Sequence, residues 1–185
     1  MWEDRFSREG YLFGEDPVPF LLKYDSLFHK GQSVLSIAEG EGRNGVHLAK
    51  KGLEITGVEF APSAVAKAQK LAALNKVDAN FIQADLFQWD WPSNSFDITL
   101  GIFFQFVGPD QRNLLWHKML EATRPGGLIM IHGYTPKQLQ FGTGGPPFVE
   151  NMYTQACFKE VFGSCKTLAY DEYEAEQRSG SAHVG

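Results

Sequence analysis

One stretch, residues 33–59, restricts this chain to a narrow set of folds. It reads S-V-L-S-I-A-E-G-E-G-R-N-G-V-H-L-A-K-K-G-L-E-I-T-G-V-E. An apolar run (Val34, Leu35, Ile37) leads into Gly40 and Gly42, a helix-like segment follows, and a second apolar run ends in an acid, Glu59. Strand, glycine turn, helix, strand is the first unit of a nucleotide-binding α/β fold. Gly40 and Gly42 let the backbone turn sharply and approach a ligand closely. The amides that open the next helix have no partner within it and can point at that ligand. Glu59, at the end of the second strand, is placed to accept hydrogen bonds from two ribose hydroxyls.

The rest of the chain repeats the alternation. Apolar spacing predicts helices over 18–29, 43–51, 62–75, 109–122 and 151–162, and strands over 33–37, 54–59, 79–83, 96–101 and 128–133. A last strand is expected within 165–176. Strands alternating with helices predict a mainly parallel, doubly wound Rossmann-like sheet covered on both faces. Ligands of such sheets sit beyond the carboxyl ends of the strands, beside strand one. The glycine turn, Glu59 and Asp85 all follow strand ends and can converge there.

Composition narrows the partners. The chain has 185 residues, a size that suits a single domain, and a net charge of -5. An acidic chain without a basic stripe is a poor grip for phosphate backbones, so no nucleic-acid partner is expected. The N-terminus lacks a signal-peptide core and no apolar run is long enough to span a bilayer, so neither a membrane partner nor export is expected, and the expected compartment is cytoplasmic. Cys157 and Cys165 lack metal-ligand spacing and read as reduced structural thiols; no metal site is expected.

Gly40, Gly42 and Gly45 match G-x-G-x-x-G, a pattern shared by dinucleotide enzymes and S-adenosylmethionine (SAM) enzymes. Glu39 and Glu41 flank the turn. Two carboxylates at its mouth would repel a pyrophosphate and attract a cofactor carrying a sulfonium and an ammonium. Downstream, Asp85 in Q-A-D-L can accept from an adenine amino group, with the amide of Leu86 beside it. F-D-I-T-L-G-I-F-F-Q-F runs a strand into an aromatic lip, and R-P-G-G-L-I-M-I-H-G is a helix end, a sharp turn and a strand.

In order and spacing, A-E-G-E-G-R-N-G, V-E-F, Q-A-D-L, F-D-I-T-L-G and R-P-G-G resemble the class I SAM-dependent methyltransferases over roughly residues 30–135. W-E-D-R-F followed by Y-L-F-G-E-D-P-V-P-F-L resembles the small bacterial branch that includes tellurite-resistance and thiopurine-type methyltransferases. The resemblance implies that Ala38, Glu39, Gly40 and Gly42 wrap the methionine end of SAM, with Arg43 and Asn44 beside it. It implies that Glu59 holds the ribose, Phe60 packs on the adenine, and Asp85 and Leu86 read the adenine edge. Gly101, Ile102 and Phe103 would line the cofactor near the reacting methyl. Ser36 stands where the family has an acid, with Glu39 a candidate substitute, and Ala38 stands where it has a glycine, a position Ala tolerates if its φ stays negative. The fold ordinarily finishes with two more strands, whereas this chain stops at A-H-V-G; strand seven is expected to be absent, truncation being one way to lose it.

Competing readings stand beside these. Asp85 can instead cap the turn that follows it. Trp2, Tyr11 and Phe13 form either a lid, within an N-terminal unit of residues 1–30, or packing for the first helix. Phe104 and Phe106 are core or pocket lining, and His47 and His117 are structural. His132 and Tyr134 end strand five near the expected substrate mouth and are the candidate catalytic bases. Residues 135–150, which include Gly142–Pro147, are a linker or a substrate-side cover. The expected function is methyl transfer from SAM to a small-molecule acceptor; an NAD-dependent oxidoreductase and a non-catalytic SAM-binding protein are the alternatives.

Overall fold

The computed structural model describes residues 1–176 and 178–184. In chain order its regular elements are α1 Trp2–Phe6, α2 Pro19–Lys23, β1 Ser33–Ile37, α3 Arg43–Lys50, β2 Glu54–Glu59, α4 Pro62–Leu74, β3 Asn80–Gln83, β4 Phe96–Ile102, α5 Pro109–Ala122, β5 Thr123–His132, α6 Gln155–Phe162, β6 Arg178–Ser179 and β7 His183–Val184. The five strands β1 to β5 pair in parallel in the order β3-β2-β1-β4-β5. β1 is central because four of its five residues are buried, which suits a strand covered on both faces. The order reverses direction between β1 and β4, so the switch point lies beyond Ile37 and Gly101, which are register partners.

Alternate residues of each strand feed opposite faces. Leu35 and Ile37 pack with Leu115, Trp116 and Met119 of α5. Val34, Ile55, Ile98 and Leu100 pack with Leu21 of α2 and Leu48 of α3. Val46, Val65, Ala68 and Phe81 join α3, α4 and β3 in a third cluster. α4 begins with Pro62 at its first position, and the Ser63 amide donates to Glu3 Oε2 at 3.1 Å. An anion at a helix N-terminus is favoured, and here it anchors the N-terminal segment.

Several elements differ from the sequence expectation. α1 lies in a segment for which no helix is predicted, and β5 begins at Thr123, taking in the R-P-G-G expected to be a helix end and a turn before a strand at 128. The helix expected over 18–29 is α2 followed by a separate 3-10 turn, Asp25–Leu27, because Asp25 and Ser26 favour a turn over a continuing helix. The helix expected from 151 starts later: Thr154 is the N-cap, accepting from the Cys157 amide at 3.3 Å, and a 3-10 turn, Val149–Asn151, precedes it. The strand expected within 165–176 is a coil. Its Leu168, Tyr170 and Tyr173 are exposed, and the acids between them leave it no apolar face to bury. β6 and β7 form a separate two-residue antiparallel ribbon, so among the described residues the main sheet has five strands. No helix among them is long and apolar enough to cross a membrane.

Candidate cofactor and acceptor site

The chain leaves β1 through three left-handed residues, Ala38 (φ 47°), Gly40 (φ 65°) and Gly42 (φ 89°). Ala38 therefore does not keep the negative φ expected of it. The exit from β1 imposes the left-handed turn, and a small L-residue bears it at about 1–2 kcal/mol. Gly42 is doubly required, since a Cβ there would lie 2.7 Å from Ala68 Cα as well as facing the wrong backbone region.

Glu59 ends β2 with only 8% of its surface exposed. Its Oε2 accepts from the Gly40 amide at 2.9 Å and its Oε1 from the Ala61 amide at 3.0 Å. These bonds hold the carboxylate beside the glycine turn and leave each oxygen a second lone pair. Burial pushes its pKa upward, against the amides of Ala61, Gly40 and Phe60. The Ala84 amide donates to the Glu59 carbonyl at 2.9 Å, which brings Asp85 to the neighbouring strand end. Phe60, next to Glu59, is 65% exposed and offers an open aromatic face. The Asp85 carboxylate accepts from the Phe87 amide at 2.9 Å and from Gln88 Nε2 at 3.2 Å, so the turn-capping reading is present in the structure. Leu86 is buried behind it.

The two bare carboxylates expected at the mouth are both engaged inside the chain. Glu39 Oε1 accepts from the Gly45 amide at 2.6 Å, in the first turn of α3, and its Oε2 accepts from the Ser36 hydroxyl. Burial raises its pKa to about 7, opposed by the Ser36 and Gly45 bonds. Glu41 Oε2 accepts from the Leu12 amide at 2.7 Å, and its Oε1 pairs with Lys67 at 2.8 Å. Arg43 and Asn44 also grip the flanking segments. Arg43 Nη1 donates to the Phe13 carbonyl at 2.7 Å and to Ser179 Oγ at 3.1 Å, while Asn44 Oδ1 accepts from the Val18 amide at 3.1 Å. Trp2, Leu12 and Phe13 pack with Phe6, Ala61 and Ala64. Phe6 ends the W-E-D-R-F segment that the sequence singled out. It is buried near the turn, its ring 3.7 Å from where a Gly40 Cβ would stand.

On the other side of the switch point, Gly101 and Ile102 end β4, and Phe103 follows it. Phe103 has φ 54° and its amide donates to the His132 carbonyl at 2.8 Å, which joins the ends of β4 and β5. The His132 ring stacks on Phe20 at 4.8 Å and meets Phe103 edge-on at 4.8 Å. Burial alone pushes its pKa down to about 4, so the imidazole is neutral at pH 7. Burial moves the Tyr134 phenol upward, with Arg43 opposing. Gln105, which the sequence reading passed over, is buried and locks the two loops: its Nε2 donates to the Tyr134 carbonyl at 2.8 Å, and its Oε1 accepts from the Tyr134 amide at 2.6 Å. A lone Gln in an aromatic run carries no signal for that role. These loops enclose a cavity of about 390 Å³, floored by Phe103, His132 and Tyr134 and walled by Lys137, Phe141 and the coil 171–176.

Residues 34–127 match the family described as a methyltransferase domain. The chain belongs to the class I SAM-dependent methyltransferase family. It is 30% identical over 168 residues to the ubiquinone/menaquinone biosynthesis C-methyltransferase UbiE of Bdellovibrio bacteriovorus, covering 88% of this chain and 67% of that protein. It is 43% identical over 116 residues to a 23S rRNA (uracil(747)-C(5))-methyltransferase of Pyrococcus abyssi, covering 62% of this chain but only 26% of that longer protein. A SAM-dependent methyltransferase from Aquifex aeolicus superposes with a TM-score of 0.64 at 15% identity, covering 83% of this chain and 79% of that one. The family's cofactor is SAM, which decides between the two cofactors that the glycine pattern leaves open. The residues at the switch point suit it. A buried carboxylate with free lone pairs stands beside the turn, an exposed aromatic face follows it, and a second carboxylate ends the neighbouring strand.

Proposed function

We propose that this chain transfers a methyl group from SAM to a small-molecule acceptor held in the cavity beyond β4 and β5. The observation that carries this reading is the cavity itself. Its size is that of a small-molecule pocket, and its floor adjoins Gly101, Ile102 and Phe103 at the switch point. SAM supplies an activated methyl on a sulfonium. In this reading Ala38, Gly40 and Gly42 form the backbone turn around its methionine end, and Glu59 accepts from the ribose hydroxyls. Phe60 covers the adenine, and Asp85 and Leu86 read its edge. The Ser36–Glu39 pair takes the place of the acid that the family carries at Ser36, and Arg43 and Asn44 act by holding residues 13–18 and 179 near the turn.

The protein's main contribution is alignment in a dry pocket. His132 and Tyr134 are the acceptor-side residues of the proposal. An imidazole with a pKa of about 4 is a weak base at neutral pH, so His132 serves best as a hydrogen-bond acceptor that orients the acceptor molecule. Tyr134 keeps its proton and can donate. That pairing suits a nucleophile that needs no strong base. Residues 1–185 act as one domain in this reading, with 1–30 docked over the turn and 135–150 flanking the cavity. The small bacterial branch is supported by the N-terminal W-E-D-R-F and Y-L-F-G-E-D-P segments, whose residues contact the turn through Phe6, Leu12 and Phe13.

The test measures S-adenosylhomocysteine release with panels of small aromatic acceptors and, separately, with ribosomal and transfer RNA transcripts. Turnover with a small molecule and none with RNA is the expected result. Methylation of RNA alone would overturn the proposal, and SAM binding without any turnover would favour a non-catalytic SAM-binding protein.

A further inference from the structure

The outer wall of the acceptor cavity comes from a segment that was expected to be a strand. Residues 171–176 cross the mouth as coil, and Asp171, Glu172, Glu174 and Glu176 all line the cavity, against one cation, Lys137. Most of these acids have a charged partner: Asp171 pairs with Lys23 at 2.6 Å, Glu174 with Lys137, and Glu176 with Arg178 at 2.6 Å. Glu172 accepts from a neutral group, the Tyr170 hydroxyl. The next residue, Tyr173, lies nearly parallel to the His132 ring at 6.2 Å and has the Lys23 ammonium 5.9 Å from its centroid. The rim thus combines aromatic faces with a carboxylate that, among the described residues, is not bonded to a cation, the pairing that recognises positively charged ligands.

We propose that the coil 171–176 selects the acceptor, and that Glu172 holds a positive charge on a planar aromatic molecule at the end remote from its reacting atom. This rests on the methyltransferase reading above. The aromatic ring would lie against Phe103, His132 and Tyr134, with a hydroxyl donating to the neutral imidazole, and the cation would face Glu172. A phosphodiester or carboxylate ligand would meet the same wall with like charge.

Three probes sharing one phenol ring separate these terms: tyramine (cationic), 4-methylphenol (neutral) and 4-hydroxyphenylacetate (anionic). Each is titrated calorimetrically into the chain loaded with S-adenosylhomocysteine, and into the Glu172→Gln variant loaded likewise. Tyramine is expected to bind about tenfold tighter than 4-methylphenol, with the anion weakest, and Glu172→Gln should shrink that gap to about threefold or less. Equal or tighter binding of the anion, a gap that survives in the variant, or no binding of tyramine up to its solubility limit would overturn the proposal. Failure of S-adenosylhomocysteine itself to bind would instead overturn the cofactor assignment beneath it.

Discussion

Glu39 shows how one buried acid can serve the fold and burden it together. Its carboxylate joins β1 to the start of α3 through Ser36 and Gly45, yet burial raises its pKa to about 7 from an ordinary 4.5. The folded state therefore holds a proton that the unfolded chain has released between these two values. Stability from this group is complete below about pH 4.5 and is lost as pH rises to about 7, by roughly 3 kcal/mol. Glu39→Gln keeps an acceptor for Gly45 and gains a donor for Ser36, so the variant should be more stable than wild type at pH 8 and equal to it at pH 4.5. Urea unfolding of both chains at each pH checks this, and a constant difference across the range would refute it. At this scale the sequence was legible where backbone geometry or strand ends dictate the residue, as at Gly42 and Glu59. It misled where a side chain could turn either way. Glu39 and Glu41 read as free charges at a mouth, and the fold engages both with groups 6 and about 29 residues away along the chain.

At the scale of elements, the two ends of the chain meet. The Ser181 and Ala182 amides donate to the Leu12 carbonyl at 3.0 and 3.2 Å, and Arg43 bridges Phe13 and Ser179. Between α6 and this clasp, the coil is held by the ion pairs Lys23–Asp171 and Lys137–Glu174, whose side chains are all roughly half exposed. Such pairs contribute little and are screened by salt. Cleavage at Glu172, Glu174 and Glu176 by a glutamate-specific protease should therefore speed up several-fold between low salt and about 0.5 M salt, relative to a free peptide of residues 166–182. An unchanged ratio would show that the coil is held by something other than its ion pairs. The crossover elements α3, α4 and α5 were legible from apolar period, glycine and proline. The coil was not, because the spacing of Leu168 and Tyr170 suits a strand, while nothing local reveals that, among the described residues, β5 receives no neighbour on its outer edge.

For the whole molecule, the sheet order β3-β2-β1-β4-β5 places the switch point between β1 and β4. The glycine turn, Glu59, Asp85 and the loops after β4 and β5 stand at the carboxyl ends of the five strands. The architecture was legible because parallel α/β units repeat one local pattern. The cavity proposed to hold the acceptor was not, because it is built from loops and a coil that no period describes.

The central claim is that this switch point binds SAM, with Glu59 holding the ribose. Calorimetric titration with SAM, S-adenosylhomocysteine and NAD, for wild type and for Glu59→Gln, tests it most directly. The expected result is binding of SAM and its demethylated product, no binding of NAD, and a loss of about tenfold or more in the variant with its fold intact. Binding of NAD in place of SAM, or SAM affinity untouched by Glu59→Gln, would contradict it.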